Sequence, residues 1–150
     1  MPGEQLNRFL SESAAEVLES MFFTSPLETS TPTCPAMESC VSAGLFFRGT
    51  PPGRFGICAS QDAARSLAAS FLGEDPESIN VRQCEEVVCE LANMVCGSVL
   101  SRMEKDALFE LTQPKIGEPE SRLPENPSAC FEFSLEEGSL LVWMQIEETR

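Results

Sequence analysis

The chain has 150 residues, 42% of them apolar, with 24 acidic residues against 10 basic ones and a formal net charge of −14. That length suits a single domain, 1–150, large enough to bury a core, and the apolar fraction excludes a disordered chain. The acidity excludes the basic patch that would neutralise a nucleic-acid backbone, and a polybasic membrane contact with it.

In chain order, Glu4 to Phe23 reads as an amphipathic helix, since Leu6, Phe9, Leu10, Val17, Leu18, Met21 and Phe22 recur at helical spacing. Thr24 to Glu38 is rich in Ser, Thr and Pro and reads as a long loop. Ser39–Phe47 and Arg54–Ser60 read as two strands joined by the turn-forming run Gly49-Thr50-Pro51-Pro52-Gly53. Gln61 to Leu72 is a helix with Ala64, Leu67, Ala68 and Phe71 on one face and Gly73 as its stop. Glu74 to Ile79 is a short connection.

The longest helix is expected over Asn80 to Lys105. Asn80 and Gln83 form a capping-box pattern, with Ile79 placed to pack against the first turn. At about 100° per residue, Glu86, Glu90, Asn93, Gly97 and Ser101 fall on one narrow stripe. Val88, Leu91, Ala92, Val95 and Val99 lie opposite, while Cys89, Cys96 and Leu100 flank the stripe. A surface helix usually divides more evenly. This one reads as a buried helix with a small polar window. Spacing alone leaves two readings of Gly97: close packing by this chain, or room for another protein's backbone.

Ala107 to Gln113 reads as a strand ended by Pro114, and Lys115 to Pro127 as a long surface loop. Ala129–Leu135 and Ser139–Glu147 read as strands around the turn Glu136-Glu137-Gly138. In the last strand Trp143 falls on the face away from Leu140 and Val142, which implies that the second sheet face is covered too, by a helix or another subunit. Three helices and about six strands without βα alternation give an α+β fold: a mainly antiparallel sheet with long helices packed on it.

With no His and no Tyr, a Ser-His-Asp or Cys-His arrangement within the chain is excluded, and no phosphate-cradling Gly-rich loop is present. Seven Cys without a Cys-x-x-Cys pair on the long helix point to reduced, apolar-like thiols and to no metal site. No apolar run approaches the ~20 residues of a membrane span. No leader pattern opens the sequence, so a cytoplasmic protein is expected.

What remains for chemistry is Glu90 and Asn93, at i and i+3 on one helix face. By residue type alone they are ordinary solvent-facing side chains. The run Glu90-Leu91-Ala92-Asn93-Met94-Val95-Cys96-Gly97, however, resembles the signature helix of the CheC/CheX chemotaxis phosphatases, Glu-x-x-Asn continued to a Gly four residues on. Phe9 to Met21 resembles that family's first helix, Leu45 to Ala59 its first hairpin, and Leu111 to Gly117 its strand followed by a Pro and a Gly. A single motif helix resembles CheX more than the two-motif CheC. Val17 and Ser20 stand where an echo of the motif in the first helix would place Glu90 and Asn93, so one active helix is expected.

The resemblance implies a phosphatase acting on the aspartyl phosphate of a CheY-like response-regulator receiver domain. It gives Asn93 the role of positioning the attacking water and Glu90 that of pairing with the receiver's active-site Lys; both would be catalytic and partner-binding. Gly97 and Glu86 complete the expected partner-binding set, Glu86 by its place on the stripe and without a family role. A divalent metal, Mg2+, would belong to the receiver, and relatives suggest a homodimer. The alternative is a non-catalytic module that uses the same helix to bind receivers or to dimerise.

Overall fold

Residues 3–26, 28–30, 40–103, 108–117 and 122–147 are described by a computed structural model in which three helices pack on one face of an antiparallel sheet. Helix α1 (Gly3–Met21) buries Leu6, Leu10, Ala14, Val17 and Leu18. It closes where the amides of Phe22 and Thr24 both donate to the Leu18 carbonyl, at 3.2 and 2.9 Å. Helix α2 (Gln61–Leu72) has the expected limits, because Ser60 caps its first turn and Gly73, at φ 68°, takes the left-handed turn that ends it. After a 3-10 turn at Pro76–Ser78 comes α3 (Val81–Met103). Its capping box is complete: the Gln83 amide donates to Asn80 Oδ1 (2.8 Å) and the Asn80 amide to Gln83 Oε1 (2.9 Å).

The strands are β1 (Glu28–Ser30), β2 (Cys40–Arg48), β3 (Gly53–Ser60), β4 (Glu110–Leu111), β5 (Lys115–Ile116), β6 (Ala129–Ser134) and β7 (Ser139–Ile146). They lie in the order β1-β6-β7-β3-β2-β4, with β5 also paired to β2, and every pairing is antiparallel. The register sets Ala43, Leu45 and Phe47 beside Ile57 and Phe55, and these beside Val142 and Met144, on the helix-bearing face. Helix α1 lies over β6 and β7, and α3 over β2, β3 and β5. The α+β expectation therefore stands, and among the described residues no helix is long and apolar enough to cross a membrane.

Three short strands depart from the sequence reading. Part of the expected loop Thr24–Glu38 is β1, part of the expected loop Lys115–Pro127 is β5, and among the described residues of the expected strand Ala107–Gln113 only Glu110 and Leu111 form a strand. Strands of two or three residues are too short to carry alternation; they exist because a longer neighbour, β6 or β2, offers them backbone partners. Residues 31–39, 104–107 and 118–121, including the expected helix end at Glu104-Lys105-Asp106, lie outside the described residues. On the second face Cys58, Leu141 and Trp143 are buried outside the main core. Trp143 is buried within the chain itself: its ring fills the space above Gly56, and the Arg54 guanidinium lies 5.7 Å from its centroid.

Candidate functional site

The rotation of α3 is fixed by the side chains it buries. Cys84, Val87, Val88, Leu91, Ala92, Val95, Cys96, Val99 and Leu100 all turn into the core. Cys96 and Leu100, which the sequence places at the flanks of the stripe, are therefore covered by this chain and need no partner. The helix is also tied to α1 near its C-terminal end. Arg102 donates to Ser13 Oγ (2.9 Å) and Ser98 Oγ (2.6 Å) and pairs with the Glu16 carboxylate, so that buried Ser13 is satisfied.

With the helix held this way, Glu86, Glu90, Asn93 and Ser101 are exposed and Gly97 is half-exposed. Glu86 forms an i, i+4 pair with Arg82 (3.1 Å), an exposed contact worth a few tenths of a kcal/mol. Glu90 and Asn93 have no hydrogen bond or ion pair among the described residues. A Cβ built on Gly97 meets nothing within 4 Å, so among the described residues no element needs the glycine for close packing. The echo in α1 carries no equivalent chemistry: Val17 is buried and the Ser20 hydroxyl donates to the Glu16 carbonyl.

Beside the stripe lies a cleft of about 770 Å3. One wall is α3, with Glu85, Glu86, Cys89, Glu90 and Asn93; the other is the strap 111–116, with Leu111, Thr112, Gln113, Pro114 and Ile116. Pairing to β2 at both ends holds the strap in place. Between those ends Thr112 donates its amide to the Phe46 carbonyl and accepts from the Phe46 amide on Oγ1, both at 2.9 Å. The Cys89 thiol donates to the Pro114 carbonyl across the cleft floor, at 3.8 Å. Burial first, then the carboxylates of Glu85, Glu90 and Glu86, push that thiol's pKa up. Burial likewise raises Cys84 and Cys96, so these thiols stay protonated and poorly nucleophilic at neutral pH.

The sequence places Glu86, Glu90, Asn93 and Gly97 on one face, and the structure keeps them there. The strap wall is absent from the sequence reading. Its only trace is the Pro and Gly after the strand at Leu111, which do not say which helix they face. Among the described residues no three His, Cys, Asp or Glu side chains converge as a metal-ligand set. A carboxylate and an amide, uncommitted and side by side on a rigid helix, can hold a cation and orient a water; neither is a strong acid–base catalyst by itself.

Solved structures share this architecture. CheX from Vibrio vulnificus matches with a TM-score of 0.77 at 20% identity, over 98% of this chain and 99% of that one. The CheX–CheY–BeF3–Mg2+ complex from Borrelia burgdorferi gives 0.71 at 20% identity, over 94% of this chain and 97% of the other. A CheC-like superfamily protein from Shewanella sp. PV-4 gives 0.70 at 22% identity, over 95% and 97%. At these identities the matches establish the fold. No curated protein matches the sequence. The sequence model of the family described as chemotaxis phosphatase CheX covers residues 41–135, which include the polar window of α3 and both walls of its cleft, and on that ground the chain belongs to the CheX family.

Proposed function

We propose that this chain hydrolyses the aspartyl phosphate of a CheY-like receiver domain in the cytoplasm. The observation that carries the reading is the pair Glu90 and Asn93, exposed and without partners among the described residues, on a helix locked at both its buried face and its ends. Family membership and the complex formed by the Borrelia burgdorferi relative support it. In this reading α3 docks beside the phosphorylated carboxylate. Glu90 pairs with the receiver's Lys and fixes the register, and the Asn93 amide holds a water in line with the phosphorus. Water oxygen bonds to phosphorus as the bond to the aspartyl oxygen breaks, releasing inorganic phosphate and the free carboxylate. Such a loose transition state asks for positioning and charge neutralisation more than for an acid or base. The neutralising cations, a Lys and a divalent metal, come from the receiver.

Phosphate release from a phosphorylated receiver, with wild type and Asn93→Ala compared, tests this. The variant should lose at least ~100-fold in rate, as misplacement of a reacting group does, while stability stays within about 0.5 kcal/mol because Asn93 is exposed. Wild-type turnover in Asn93→Ala would remove that residue from the mechanism. Binding without acceleration by wild type would make the chain a recognition module on this fold.

A further inference from the structure

The two walls of the cleft differ in chemistry. The α3 wall presents the carboxylates of Glu85, Glu86 and Glu90; the strap residues that line the cleft, Leu111 to Pro114 and Ile116, are neutral. On the strap, Thr112 is committed to Phe46 through both its amide and its hydroxyl, and Pro114 has no N–H and takes the Cys89 thiol on its carbonyl. Between these two anchored residues Gln113 is exposed, lines the cleft, and makes no hydrogen bond among the described residues. A primary amide offers one acceptor oxygen and two donors, a match for the C=O and N–H groups of an extended peptide. Because its backbone is held on both sides, little further ordering is needed when it engages a partner.

We propose that Gln113 is an affinity-determining contact, an amide on the strap that hydrogen-bonds the main chain of the receiver loop entering the cleft while α3 engages the opposite side of that loop. The identity of the occupant rests on the phosphatase reading above. The division of labour follows from the two walls. The carboxylates on α3 select a cationic side chain, and the strap reads backbone. Position 113 then tunes affinity without touching the water held by Asn93.

Steady-state phosphate release from a CheY-like receiver, phosphorylated by a small acyl-phosphate donor, separates these roles. Gln113→Ala should raise KM by ~3–10-fold, the range for loss of one interfacial hydrogen bond, with kcat within about 2-fold of wild type. Gln113→Met keeps the length of the side chain without its polar atoms and should behave like the Ala variant; wild-type KM in Gln113→Met would show that bulk alone matters and would overturn the proposal. So would an unchanged KM in Gln113→Ala, or a fall in kcat accompanied by a lower unfolding midpoint, which would mark a structural role for the strap. If wild type does not accelerate release, the phosphatase reading fails separately. The same variants are then judged on receiver affinity, where a ~3–10-fold weakening supports Gln113 as a contact and an unchanged or absent affinity overturns it.

Discussion

An alanine methyl at position 97 would stand in open space, in a helix where glycine is the poorest ordinary residue short of proline. In the isolated chain Gly97→Ala should therefore raise stability by about 1 kcal/mol, read from chemical denaturation. Among the described residues Gly97 weakens its helix without serving its packing, and the proposed function supplies a reason for it. Gly97 lies one turn beyond Asn93 on the polar window, and in the proposed docking its missing side chain leaves room for the receiver's backbone beside α3. The variant should thus be more stable and bind the receiver more weakly, two opposed readouts from one methyl group. Unchanged receiver affinity would take Gly97 out of the interface and leave its helix cost unexplained.

Among the elements, the sheet holds a second glycine whose role is internal. Gly56 pairs with Trp143 across β3 and β7, and a Cβ there would overlap the indole ring. Gly56→Ala should cost about 1–3 kcal/mol, as overpacking does, and should shift the emission of the single tryptophan toward longer wavelength as the ring is forced off the sheet. Unchanged stability and emission would mean that the ring moves aside freely. What the sequence discloses of the fold follows from where its signals are local. The caps at Ser60, Gly73, Asn80 and Gln83 act within four residues, so α2 and the start of α3 are legible to the residue. Alternation likewise reveals β6 and β7, and the turn-forming run between β2 and β3 reveals those two. The pairing of Gly56 with Trp143 and the short strands β1, β4 and β5 depend on register between distant segments, which no local pattern encodes. The candidate site divides in the same way. Its helix wall is periodic and legible, whereas its strap wall is an irregular run in which Thr112 and Pro114 are fixed by β2 and Cys89, and Gln113 emerges only once those contacts exist.

At the scale of the whole molecule, the buried thiols couple stability to pH. Cys96 is fully buried on α3, and burial pushes its pKa far above the ordinary thiol range. Below about pH 8.5 the folded and unfolded chains both keep that proton, and the stability associated with the thiol is fully present. Above it the unfolded chain releases a proton that the folded chain retains, so the unfolded state is favoured increasingly and stability falls with rising pH. For Cys96 the slope is about 1.4 kcal/mol per pH unit once the unfolded thiol is ionised, and Cys84 and Cys89, raised in the same sense, act in the same direction. Denaturation under reducing conditions at pH 7.5, 8.5 and 9.5, followed by the fluorescence of buried Trp143, measures this directly. Cys96→Ala is the control. It should lower stability at pH 7.5 by opening a small cavity, and that deficit should shrink as the pH rises, because only the wild-type unfolded chain gains by ionising at that position. An alkaline slope as steep in the variant as in wild type would transfer the effect to other groups and detach it from the core of α3.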